Sequence, residues 1–310
     1  MIETVAGLES APENGGGRSM MAALWQMREA IAVILGVAST MVALGLVIHE
    51  LWDRELTPLT MLATSGVGFW AALIASLLVE PATDCYLLRR LLGTGIETLA
   101  PLLHKQSLNA LLFGYAGDTL LAGWLRRHVG NARGALVVVC DMAIVSALVN
   151  NVAALAMLVL LWRPIRAITD IRIDGWTTSL AAALVAVPLI LMMLRRSKLP
   201  GSNFTTIFVV KSVRTVVASI LVALTWHYAL PGVPLLSWLM LLTGRMVVSR
   251  LPIIPNKDLA FAGFVSLFLG SNDQVVPMIA GVALLMLAVQ AIMIAFAPFA
   301  IFPRRSGAGA

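Results

Sequence analysis

At 310 residues, with 59% hydrophobic and only 12% charged side chains and a mean hydropathy of +0.91, this chain is too apolar for a water-soluble globular domain, which carries about 25% charged residues. Its net charge of +6 and pI near 9.9 do not point to nucleic acid, because the basic residues cluster at the ends of apolar runs, where cytoplasmic loops of membrane proteins place them. Long apolar runs without strand-like alternation exclude a membrane β-barrel and predict an all-α polytopic membrane protein. Cys85 and Cys140 form no C-x-x-C motif, so no disulfide framework is expected.

Residues 1–28 hold Gly15-Gly16-Gly17 and little periodicity, and predict a disordered or loosely attached cytoplasmic tail. Residues 29–303 are expected to form a single transmembrane domain and residues 304–310 a second cytoplasmic tail. The first apolar run, 30–49, is long for a signal-peptide core and lacks a cleavage site, so it reads as a retained span 1. Span 2 covers 59–79, after a net acidic loop. Leu87, Leu88, Leu91 and Leu92, beside Arg89 and Arg90, then predict an interfacial helix. The segment 107–125 is apolar but interrupted by Gly114, Gly117 and Gly123, with basic residues on both sides. A full crossing would put one basic cluster outside, so a re-entrant hairpin is expected. Spans 3, 4 and 5 follow at 134–162, 177–194 and 204–230. A second broken segment runs from Pro231 and Pro234 to Gly270, interrupted at Pro252 and Pro255, before span 6 at 275–302.

The prediction is therefore about six spanning helices plus two re-entrant broken hairpins. Asp118-x4-Gly123-x6-Gly130 recurs as Asp258-x4-Gly263-x6-Gly270, 140 positions later, and the surrounding hydrophobic segments repeat with about that period. Halves of about 30–162 and 177–302 each read span, span, hairpin, span. Three crossings per half is an odd number, so the second half is an inverted internal repeat of the first, as in many secondary transporters. With both termini cytoplasmic, the inner side collects Arg18, Arg28, Arg89, Arg90, Lys105, Arg126, Arg127, Arg133, Arg195, Arg196, Lys198, Arg304 and Arg305. The outer side holds Arg54, Arg163, Arg166 and Arg172, and the basic loop after span 3 is the exception to the bias.

Gly117-Asp118, the following Leu-Arg-Arg and the stretch from Gly134 to Asp141 together resemble the first-half signature of the flippase-like transmembrane region of lysylphosphatidylglycerol synthases. Leu251-Pro252-Ile-Ile-Pro255 resembles that family's Leu-Pro-x-x-Pro motif, and the likeness covers residues 30–302. The resemblance implies a bacterial inner-membrane protein that moves or accommodates charged phospholipids or lipid-linked molecules. Two departures concern the substrate: Leu121 stands where the family commonly has a basic residue, and Asn256 and Lys257 stand where it has glycines. No aminoacyl-transferase domain follows span 6, so lysyl transfer is not expected.

A charge at the bilayer centre costs about 2.5–3.5 kcal/mol on insertion scales, so each intramembrane ion needs a partner or a task. Asp141 lies beyond Arg133 by about 12 Å at helical rise. Lys211 and Arg214, three apart, share a face of span 5. They read either as a structural ion pair with Asp141 that joins the halves, or as a cationic site for an anionic headgroup, since Arg binds phosphate bidentately. Snorkelling of Lys211 is a third reading. Asp118 and Asp258 read as N-caps of the returning limbs or as proton- or cation-coupling carboxylates. Gly123 and Gly263 are expected to allow close helix packing. Arg245 and Arg250 flank the second break with Lys257 beyond it, as cavity-lining or snorkelling cations. Candidate substrate contacts are thus Lys211, Arg214, Arg245, Arg250 and Lys257. Candidate coupling or structural carboxylates are Asp118, Asp141 and Asp258.

Signals for enzyme chemistry are thin. Four scattered histidines offer no metal spacing. Gly114-Tyr115-Ala116-Gly117-Asp118 has tyrosine where intramembrane aspartyl proteases need glycine, and no Tyr-Asp partner motif exists. No catalysis, metal or cofactor is expected. The expected function is a multi-pass inner (plasma) membrane, flippase-like protein that moves or binds an anionic lipid or lipid-linked molecule. The alternatives are a non-transporting accessory or scaffold protein and, behind it, an intramembrane lipid enzyme. Expected partners are phospholipids or a lipid-linked substrate within the membrane and no nucleic acid, and a homo-oligomer is compatible with this reading.

Overall fold

In a medium that offers the backbone no hydrogen-bond partner, apolar runs close their amides internally as helices. A computed structural model describes residues 57–111, 116–129, 132–163, 201–249, 257–269 and 274–301, with a few positions between 41 and 49. Its elements are α1 (Thr57–Ala63), α2 (Val67–Leu92), a 3-10 turn (Ile96–Thr98), α3 (Leu99–Leu111), α4 (Ala116–His128), α5 (Ala132–Leu160), α6 (Gly201–Ala229), α7 (Leu235–Val248), α8 (Lys257–Leu269) and α9 (Val275–Ile301). No strand occurs among the described residues. Four helices are long and apolar enough to cross a membrane, within α2, α5, α6 and α9. The fold is that of an all-α membrane protein. Most of the region expected as span 1, all of that expected as span 4, both tails and the loop at 163–174 beyond Arg163 lie outside the described residues.

The main departure from expectation is α2. In place of a span ending at Val79 and a separate interfacial helix, one helix continues through Pro81 to Leu92 and buries Leu87 and Leu88 completely. It stops at Gly93, whose φ of 70° lies in the left-handed region that glycine adopts without strain. The Gly93 amide donates to the Arg89 carbonyl at 3.0 Å and closes the last turn.

Each expected broken segment is a pair of short helices, α3 with α4 and α7 with α8, and the members of each pair pack on one another. The described helices therefore run long, short, short, long (α2 to α5) and again long, short, short, long (α6 to α9). They bury two separate apolar cores. One joins Leu87 and Leu88 at the C-terminal end of α2 to Leu102, Leu121, Leu125, Val139, Met142 and Ile207. The other joins Phe69 and Leu73 at the N-terminal end of α2 to Trp226, Trp238, Leu242, Phe261, Val276 and Ile279. α2 and α6 each give buried residues to both cores, and among the described helices they pack on each other along much of their length. Asp84 meets Lys211 while Glu80 meets Arg214, so contacts advance along α2 as they retreat along α6. The two helices run antiparallel. α3 packs against α9, and α7 against α5, so each short pair also contacts a long helix distant in sequence, beyond the 163–201 segment. Val67, Val159, Leu160 and Phe296 are among the large apolar side chains left facing outward, as a lipid-facing surface requires.

Candidate functional site

Charged side chains that fold into an apolar interior must find each other, and here they do so between the two cores. Glu80 and Asp84 lie one turn apart on α2, and Lys211 and Arg214 lie on the facing side of α6. The Lys211 ammonium donates to Asp84 Oδ1. Lys105 of α3 donates to Asp84 Oδ2 at 3.0 Å and pairs with Asp118 Oδ1 of α4, also at 3.0 Å. Asp84 and both lysines are almost fully buried. Each oxygen of Asp84 thus has its own cation, the condition under which a buried carboxylate is tolerable. Arg214 Nη1 lies 3.1 Å from Glu80 Oε1. Asn150 of α5 accepts from Thr215 Oγ1 at 2.9 Å and from Arg214 Nη2 at 3.4 Å.

The break between α3 and α4 is closed by the same network. Asn109 Nδ2 donates to Asp118 Oδ2 at 3.1 Å, and Asn109 Oδ1 accepts from the Gly117 amide at 2.7 Å, satisfying one of the first-turn donors of α4. Gly117 is required here, because a Cβ would lie 2.1 Å from the Lys105 carbonyl oxygen. Asp118 thus sits in the first turn of α4, where the helix dipole favours it, and its side chain serves Lys105 and Asn109.

The second pair is built alike. Asp258, in the first turn of α8, takes Arg245 of α7, whose Nε donates to Oδ1 at 2.6 Å. The cation precedes the acid by 13 positions in both pairs, and the two pairs stand 140 positions apart. Arg245 and Asp258 keep 28% and 25% of their side-chain surface and border a cavity of about 30 Å³ with Ser76, Thr225, Trp226 and Phe261. That is room for about one or two waters, not for a lipid headgroup. The chain matches no family model, no curated protein and no solved structure.

Of the candidate residues, Lys211 and Arg214 share a face, and they take the α2 carboxylates Asp84 and Glu80 as partners. Asp141 is buried on α5. Lys211 is buried and held by Asp84, so its ammonium does not reach the protein surface as a snorkelling side chain would. Arg245 lines the cavity, Lys257 is exposed at the start of α8, and Arg250 lies outside the described residues. Lys105, counted among loop cations, is instead buried at the centre of the ionic network. Gly123 is exposed and a Cβ there meets nothing within 4 Å, so it mediates no close helix contact among the described residues, whereas Gly263 is buried. The residues that the sequence reading missed are Glu80, Asp84, Lys105 and Asn109. Outside the long helices, the exposed Glu97 carboxyl is held below its ordinary range by its own backbone amide and that of Gly95, which donates to it at 2.9 Å. Among the described residues, no three His, Cys, Asp or Glu side chains are grouped to hold a metal.

Proposed function

We propose that this chain is an inverted-repeat carrier, flippase-like in design, that moves or binds an anionic lipid or lipid-linked molecule in a bacterial inner membrane, with both termini cytoplasmic. The observation that carries this reading is the charge network at mid-span between antiparallel α2 and α6, with a broken helix pair on either side. Ionised groups at such depth are costly and mark substrate or ion paths by default. Broken helices facing a repeat interface are where secondary transporters place their sites. The long, short, short, long order occurs twice, the ion pairs recur at 140 positions, and α2 and α6 run antiparallel; together these support two halves of opposite orientation. Arg214 at the centre is the substrate-facing cation of this reading, while Arg245 is held by Asp258 beside a water-sized cavity.

The test is reconstitution of the pure, folded chain in liposomes with a leaflet-resolved assay for native inner-membrane lipids. Accelerated movement of an anionic lipid is expected; acceleration of none would sink the proposal. A second reading, a non-transporting scaffold protein, draws on the balance of the network, in which Glu80, Asp84 and Asp118 offset Lys105, Lys211 and Arg214. It would be favoured if Asp118, Asp258 and Arg214 could be neutralised together without phenotype while surface changes abolished a partner complex.

A further inference from the structure

Among the described residues, Arg214 is the least satisfied buried cation. It lies near the middle of α6, with 8% of its side chain exposed. Its guanidinium carries five donors in a planar fork. One of them, on Nη2, reaches Asn150 Oδ1 at 3.4 Å, the long end of the hydrogen-bond range. Nε and Nη1 have no hydrogen-bond acceptor among the described residues, although Nη1 lies within ion-pair distance of Glu80. The fork thus meets one Glu80 oxygen at ion-pair distance and Asn150 through a long hydrogen bond. Arg245 differs: its Nε and Nη2 both converge on Asp258 Oδ1. Glu80, in turn, keeps 38% of its side-chain surface, so the carboxylate is on the open side of the pair.

We propose that Arg214 binds the anionic oxygens of a phosphate-type group, and that Glu80 is the internal carboxylate which this anion displaces and which then takes up a proton. A planar fork with unmet donors fits two phosphate oxygens better than it fits one carboxylate oxygen at ion-pair distance. The proton follows from charge balance. With Glu80 bound, the Arg214 site is neutral; an arriving monoanion leaves Glu80 negative beside it and beside Asp84. The other charges facing Glu80 cannot compensate, because Lys211 serves Asp84 and Lys105 serves Asp84 and Asp118. α5 offers the neutral Asn150. A proton from water, bound at the Glu80 carboxylate, restores neutrality. This assignment rests on the carrier reading and names its ligand chemistry and its coupling.

The test uses the full chain, purified in detergent and titrated in a calorimeter with two probes, short-chain phosphatidylglycerol and inorganic phosphate, in buffers of differing ionisation heat. Wild type is expected to take up about one proton per anion bound. Glu80→Gln is expected to bind about tenfold tighter with no proton uptake, since no internal anion competes. Arg214→Gln should abolish binding, and Arg214→Lys, which keeps the charge without the fork, should weaken it. Binding of the lipid probe alone identifies a headgroup site, and binding of both identifies a general phosphate site. Wild-type binding without proton uptake, a Glu80→Gln affinity no tighter than wild type, binding that survives Arg214→Gln, or binding of neither probe by either protein would each overturn the assignment. The wild-type proton count needs no variant to fold. Lipid movement in liposomes that is unaltered in Arg214→Gln and Glu80→Gln would remove this assignment and leave the carrier; proton-linked binding without movement would do the reverse.

Discussion

Lys105–Asp118 and Arg245–Asp258 are the same device in two settings. Both join the members of a short helix pair, and both place the acid in the first turn of the second helix. The first is sealed into a network with Asp84, Lys211 and Asn109. The second takes no further ionic partner among the described residues and borders a cavity beside Trp226 and Phe261. The difference teaches that a repeated motif sets which groups meet, while the neighbouring helices set what the meeting costs to break. A sealed pair holds structure; a pair beside a cavity is free to open.

The sharpest way to break this contrast is at Asp84. Asp84→Ala leaves Lys211 buried without its carboxylate and is expected to cost about 3–5 kcal/mol in detergent unfolding titrations. The double variant Asp84→Ala, Lys211→Met should recover a large part of that loss, because the uncompensated charge is gone. Gly117→Ala drives a Cβ against the Lys105 carbonyl and should cost about 1–3 kcal/mol. Gly123→Ala, on the same helix with nothing within 4 Å, should be neutral or stabilising by up to about 1 kcal/mol. Equal effects for the two glycines would contradict the packing of α3 on α4. Asp258→Asn, in the more open pair, is expected to cost about 1–2 kcal/mol, between the exposed and the buried cases. A loss as large as that at Asp84 would erase the distinction between the two pairs. The smallest effect concerns Glu97. Its carboxyl is depressed by its own amide and that of Gly95, so its contribution is present at neutral pH and lost as pH falls through the folded value, which lies below the ordinary glutamate range. Hydrogen exchange at the Gly95 amide should quicken there in wild type, and in Glu97→Gln should show no such acid limb.

Much of this architecture is legible in the sequence. Hydropathy marks α5, α6 and α9 to within a few residues, and the glycines and prolines at 114–117 and 252–255 mark the breaks between short helices. Lys211 and Arg214 stand out as charges on one face of an apolar helix. Their partners do not. Glu80, Pro81 and Asp84 followed by Arg89 and Arg90 have the composition of a span end, and the helix runs on because α6 supplies two cations from 127 and 134 positions away. No local pattern reports such a contact. One signal was there: two acids a turn apart on one apolar run match two cations a turn apart on another. The 13-residue spacing was also readable, but its cation is Lys in one copy and Arg in the other, which hides it from a motif begun at the aspartate.

The claim on which the two-setting comparison rests is that the helix pairs enter from opposite sides of the membrane. Single cysteines at Asn131 and Ser271, in a background lacking Cys85 and Cys140, can be labelled in sealed vesicles with a thiol reagent that does not cross the bilayer. An inverted repeat predicts that one position reacts from outside and the other only after the vesicles are opened. Reaction of both from the same side would contradict it.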